Sequence, residues 1–116
     1  LKLTTDSKWL SVALGNLIDN AAKYSPLESP IEIFVSEVHA DILLMVCNFP
    51  SDADFPDVNQ VFSKYYRSEK AHAKSGSGLG LFLVKQLVEI LNGKIEYLIA
   101  DERICFQIRL PKIPLT

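Results

Sequence analysis

The chain is poor in the features that mark membrane-spanning, nucleic-acid-binding or disulfide-built proteins. It contains no apolar run close to the roughly 20 residues that cross a bilayer, so no part of it is expected to insert. Basic residues do not predominate: 12 Lys and Arg stand against 14 Asp and Glu, a formal net charge of −2, and this leaves no general positive field for nucleic acid. Only 2 cysteines occur, Cys47 and Cys105, each inside an apolar, β-like run. Buried thiols acting as small hydrophobes are expected there, ahead of a disulfide or a metal site, and they suit a reducing compartment. The opening "LKLTTDSKW" has no initiator Met, basic leader or cleavable apolar stretch, which gives the expectation of a piece excised from a longer chain.

What remains is the composition of one globular domain: 116 residues, 48% hydrophobic and 22% charged, with residues 1–116 expected to share one core. Leu10, Leu14, Leu17, Ala21 and Tyr24 recur at helical spacing, Thr5 or Asp6 can cap the start, and Ser25-Pro26 ends the pattern, so a helix is expected over about 7–24. Ile31, Ile33 and Val35 alternate with Glu32, Phe34 and Ser36; after a tight turn at "HAD", "ILLMVC" is apolar on both parities, as a covered central strand would be. These two runs are expected to pair as a hairpin. "NFPSDADFPD" reads as a surface loop, "VNQVFSKYYRS" as a short helix and "SEKAHAKSGSG" as a mobile segment. Leu81, Val84, Leu87, Val88 and Leu91 trace a second helix stopped by Asn92-Gly93, where the glycine is expected to take the left-handed conformation. "KIEYLI" and "RICFQIRL" close the chain as two strands around "ADE". Together these elements predict an α/β two-layer sandwich: a mixed, mostly antiparallel sheet covered on one face by helices.

Two clusters carry chemistry. Gly76, Gly78 and Gly80 precede the second helix, and glycines there let backbone N–H groups approach an anion beside the positive end of a helix dipole. A flexible lead-in to a helix is the plainer reading of the same residues. The loop is not a P-loop, because Leu81 and Phe82 follow Gly80, and it is not a dinucleotide fingerprint, because no strand precedes it. On the first helix Asn16, Asn20 and Lys23 fall at i, i+4 and i+7. Asparagine forms helix interiors poorly, and a carboxamide oxygen is a hard neutral ligand suited to Mg²⁺. An ordinary solvated face is the alternative.

"NLIDNAAKYS", "VFSKYYRS" and "GSGLGLFLVKQLVEILNGKI", in this order and spacing, resemble the N box, F box and second glycine box of the ATP-binding catalytic domain of sensor histidine kinases. The resemblance covers almost all of residues 6–110 and implies a Bergerat-type sandwich that binds ATP and Mg²⁺ under a lid at about 63–78. By matching position it implies Asn20 as the Mg²⁺ ligand, Asn16 as a polar neighbour, Lys23 reaching phosphate and Tyr24 lining the nucleotide site. Phe62 would anchor the lid, Arg67 would approach the phosphates, and Gly76, Gly78, Leu79 and Gly80 would wrap them through backbone. It further implies a phosphoacceptor histidine domain and a response regulator as partners, and a homodimeric parent. The parent would be a membrane-bound bacterial sensor with this domain in the cytoplasm.

One motif departs from the family. The resemblance leads one to expect Asp-x-Gly-x-Gly after the central strand, its Asp accepting a hydrogen bond from the adenine amino group, where this chain reads "VCNFPSDAD". Asn48 takes the place of the Asp, and a neutral acceptor is weaker by on the order of 1 kcal/mol. Pro50 and Asp52 stand where the glycines would be. Two uses of the fold therefore remain: a kinase catalytic domain, or a degenerate, nucleotide-sensing module. Related clamp-type ATPases use a Glu one turn before the Mg²⁺ ligand to activate water; Asn16 stands there, and an amide takes no proton from water at neutral pH. Anti-sigma serine kinases share the pocket. No residue of the chain is expected to be a catalytic nucleophile. His39, in a predicted turn, and His72, in the lid, lack the helical context of a phosphoacceptor.

Overall fold

In the computed structural model, which describes residues 2–51, 54–66 and 79–113, the first helix, α1, runs over Ser7–Tyr24. Asp6 caps it, its carboxylate accepting from the backbone N–H groups of Lys8 at 3.1 Å and Trp9 at 3.2 Å, which satisfies two of the first-turn donors. The helix ends where the sequence predicts: Ser25 is extended, and Pro26 cannot continue it. Ala13, Leu17 and Ala21, at i, i+4 and i+8, form its buried stripe.

Two strands follow, β1 (Ile31–Val38) and β2 (Asp41–Asn48), paired antiparallel around a two-residue turn in which His39 takes φ 55°. The second helix, α2 (Gly80–Ile90), leads into β3 (Lys94–Ala100) and β4 (Arg103–Pro111). Asp101 and Glu102 turn that last hairpin with φ 52° and 64°, the two positive values that a tight hairpin turn requires. The sheet order is β1-β2-β4-β3, and every pairing among the described residues is antiparallel. This is the predicted sandwich, with both helices on one face.

Alternation along the central strands decides which side chains meet the helices. Val46 of β2 and Ile104, Phe106, Ile108 and Leu110 of β4 face inward against Leu17, Ala21, Val84, Leu87 and Val88, and all are buried. The opposite parity faces outward. There Glu32, Cys47 and Cys105 share one cross-strand row, Arg103 pairs with Glu32, and Arg109 bonds Asp41 at 2.6 Å.

Three local expectations are corrected. Cys47 and Cys105 are not separate thiols: register sets them directly opposite, Cα atoms 4.2 Å apart, and a disulfide joins them. A strand's own periodicity does not reveal its register, which is why the pairing was missed. The segment expected as a short helix, 58–68, forms successive turns over its described part. Its backbone bonds include the three-residue steps of turns, Gln60 N–H to Asp57 O and Ser63 N–H to Gln60 O, and Tyr65 sits at φ 65°, outside the right-handed helical region. At the end of α2 it is Asn92, not Gly93, that takes the left-handed conformation, with φ 62°. Gly93 is needed for space: a Cβ there would lie 2.5 Å from Leu110 Cδ2 and 2.6 Å from the Arg109 carbonyl oxygen.

Candidate functional site

The asparagine stripe of α1 and the start of α2 come together. Asn16 donates its amide N–H to Val12 O at 2.8 Å, which holds the carboxamide along its own helix. Its Oδ1 then lies 3.8 Å from where a Cβ on Gly80 would be. The site is therefore open at a glycine, beside the first turn of α2. That turn carries no acidic residue, and Leu79, at the N-cap, makes no side-chain cap bond. First-turn N–H groups and the helix dipole favour an anion at such an end. Asn20, one turn further along the stripe, is half-buried and makes no side-chain hydrogen bond among the described residues. Lys23 ends the stripe, its Nζ 5.8 Å from the Tyr24 ring centre.

The exit of β2 meets the last turn of α1. Asn48, the one buried polar residue among those described, is 3% exposed and lies in register between Ile31 and Ile104. Its amide nitrogen donates to Phe49 O at 3.0 Å. Three residues on, Ser51 donates its hydroxyl to Tyr24 O at 3.1 Å, stitching the loop to the last turn of α1. Ser51 was missed by sequence reasoning, and its place in a polar loop offered no signal. Asn16, Asn20, Lys23, Tyr24, Asn48, Leu79 and Gly80 thus belong to three converging elements. Arg67, Gly76 and Gly78, like most of the expected lid, lie outside the described residues.

Aromatic rings join the F-box segment to the core. Phe62 packs edge-on against Phe106 with ring centres 5.9 Å apart, and Tyr97 lies 5.5 Å from Phe106. Lys85 of α2 stands 5.7 Å from the Phe62 ring centre, and Lys64 stands 5.9 Å from that of Phe82, so two cations tie the F-box segment to α2. Neither lysine carried a signal in the sequence. The Tyr97 hydroxyl is buried without a partner among the described residues; burial, reinforced by Tyr66, Asp54 and Asp57, pushes its pKa up to about 12 and keeps it neutral.

No group of three or more His, Cys, Asp or Glu among the described residues could hold a metal ion alone. The donor set at α1 is a pair of carboxamides, which fits an ion that takes few protein ligands and completes its shell from phosphate and water.

Comparison with known proteins locates this arrangement. A family model described as "Histidine kinase-, DNA gyrase B-, and HSP90-like ATPase" matches residues 5–114. The sensor protein kinase PmrB of Pseudomonas aeruginosa is 34% identical over 87 residues, 75% of this chain and 18% of the relative. The sensor protein VanSC of Enterococcus gallinarum is 33% identical over 111 residues, 94% of this chain and 30% of the relative. This chain therefore spans less than a third of the length of these two curated relatives. The solved structure of a mycobacterial sensor histidine kinase, MprB, aligns with a TM-score of 0.86 at 30% identity, over 97% of this chain and 78% of that one.

Proposed function

The chain belongs to the histidine kinase-, DNA gyrase B- and HSP90-like ATPase family, as the ATP-binding catalytic domain of a sensor histidine kinase. From this premise we propose that it holds ATP and Mg²⁺ between α1 and the start of α2 and presents the γ-phosphate to a histidine on a separate phosphoacceptor domain. The observation that carries this reading is the approach of Asn16 to Gly80, 3.8 Å from carboxamide oxygen to the position of an absent side chain. It sets the asparagine stripe of α1 beside Gly80, the described glycine of the second cluster.

Asn20 is the ligand for Mg²⁺ and Asn16 orients beside it. When bound, the ion supplies charge neutralisation between the phosphates. Lys23 balances phosphate charge, Tyr24 lines the nucleotide site, and Asn48 accepts from the base. Leu79 and Gly80 offer backbone to the phosphates, joined by Arg67, Gly76 and Gly78 of a lid at about 63–78. The whole of 1–116 acts as one domain. Phosphoryl transfer asks mainly for positioning and charge stabilisation, so the domain needs no nucleophile of its own. In the parent, a homodimeric membrane-bound bacterial sensor, this cytoplasmic domain serves the phosphoacceptor histidine, from which a response regulator takes the phosphoryl group. The degenerate-module reading draws no support from the altered loop, which still closes onto α1 through Ser51.

Titration calorimetry with ATP and Mg²⁺ tests the reading. Binding is expected, and Asn20→Ala is expected to weaken it at least ~10-fold, the scale on which metal-site partners act. No heat from a folded protein would overturn the nucleotide site. Radiolabelled ATP with a matched phosphoacceptor domain tests the transfer: label on the histidine is expected, and binding without label would overturn the kinase step.

A further inference from the structure

The two edges of the sheet are guarded differently. β3 ends it on one side and presents Lys94 and Glu96, both exposed and neither held in an ion pair among the described residues. Free charges of this kind keep an open edge from pairing with another chain. β1 ends the sheet on the other side, and no strand lies beyond it among the described residues. Its two carboxylates are engaged by their own chain, Glu32 with Arg103 and Glu37 with Lys112. Between them Ile33, Phe34 and Val35 follow one another at 52%, 41% and 49% exposed. Ile33 and Val35 share the face of Val46, yet about half of each stays uncovered; Phe34 is on the opposite face, with the Arg103 guanidinium 5.7 Å from its ring centre.

We infer that β1 pairs with β1 of a second copy of this chain, antiparallel about a two-fold axis through Phe34, so that two sheets join edge to edge. The two-residue turn between β1 and β2 makes Val38 and Asp41 a hydrogen-bonded pair, and alternation then turns the backbone N–H and C=O groups of Ile31, Ile33, Val35 and Glu37 to the open side. Pairing about Phe34 brings these groups together, Ile33 opposite Val35 of the second copy and Ile31 opposite its Glu37. Glu32 falls opposite Ser36, so no carboxylate faces another. A shift of one residue would set Glu32 opposite Glu37 and oppose free backbone groups with ones already bonded to β2. Phe34 meets its own copy at a non-hydrogen-bonded position, where opposite side chains approach most closely and aromatic pairs add stability. Such a self-complementary contact closes at two copies. One strand pair is small beside a stable interface, so the dimer is weak and reversible.

Sedimentation equilibrium from about 10 μM to about 1 mM reads the association, with dimer expected above about 100 μM. Val35→Lys, at a half-exposed position, is expected to raise the dissociation constant at least ~10-fold while thermal unfolding of the dilute protein stays where it is. The two native cysteines are joined, so Phe34→Cys adds a lone free thiol. Under a mild oxidant it is expected to cross-link two chains at least ~10-fold faster than Ser36→Cys, whose two copies the register holds apart. Monomer alone at about 1 mM, or association that Val35→Lys leaves unchanged, would overturn the inference. So would Ser36→Cys cross-linking as fast as Phe34→Cys, or species that grow past two copies, the sign of an open-ended contact between β1 and β3.

Discussion

Along β2 and β4 the inward side chains Val46, Ile104, Phe106, Ile108 and Leu110 all join one buried cluster under the two helices. The rim that follows β2 is held quite differently: Asn48 bonds its neighbour's carbonyl, Ser51 bonds Tyr24 O, and Asp57 N–H donates to the Tyr66 hydroxyl at 3.0 Å. The layered core rests on many interchangeable apolar contacts, while the rim rests on a few individual bonds. A core of the first kind tolerates drift in any one residue without losing the fold. The second kind lets a single side chain at the rim change while the scaffold stays as it is.

The sharpest way to break this contrast is to cut each region once. Leu17→Ala removes a fully buried side chain and is expected to cost about 2–5 kcal/mol in denaturant unfolding. Equal damage from a rim substitution would erase the distinction. Gly93→Ala should come next, at about 1–3 kcal/mol, because the new Cβ meets the Arg109 backbone, which cannot step aside like a side-chain tip. Ser51→Ala is expected to cost no more than about 1.5 kcal/mol, one part-buried hydrogen bond, and a larger loss would make the rim part of the core's cooperativity.

The smallest effect at neutral pH is expected at Tyr97, whose hydroxyl is buried and has no partner among the described residues. Tyr97→Phe should leave stability at pH 7 unchanged or slightly raised, since it deletes a polar group that bonds nothing. The difference lies in alkali. With its pKa pushed from 10.0 to about 12 by burial, Tyr97 keeps its proton in the folded state after the unfolded chain has released it. Its contribution is complete below pH 10 and is lost as pH rises through about 12, so the wild-type protein should lose stability over that window more steeply than Tyr97→Phe. Parallel curves would place the hydroxyl in contact with water.

Periodicity made the core legible. The 3.6-residue recurrence from Leu10 to Tyr24 gives α1 with both ends correct, and alternation from Ile104 to Leu110 gives β4 and its inward face. What periodicity does not encode is which strand lies beside which and at what offset. The Cys47–Cys105 bond and the burial of Asn48 between Ile31 and Ile104 are both consequences of that offset. The asparagine stripe and the glycines were visible as types and spacings, but the approach of Asn16 to Gly80 across α1 and α2 depends on helix packing. The helix expected at 58–68 gives way to turns over its described part because Tyr65 takes a left-handed φ, a local choice that apolar spacing does not encode.

The central claim is that α1, the exit of β2 and the start of α2 form one nucleotide cleft. Two-dimensional amide NMR during titration with Mg²⁺ and a nonhydrolysable ATP analogue tests it most directly. Shifts are expected to cluster at residues 16–24, 48–51 and 79–82, leaving the outward row at Glu32, Cys47 and Cys105 comparatively still. Shifts confined to that outward face, or a saturated complex in which the asparagine stripe of α1 does not move, would contradict the account.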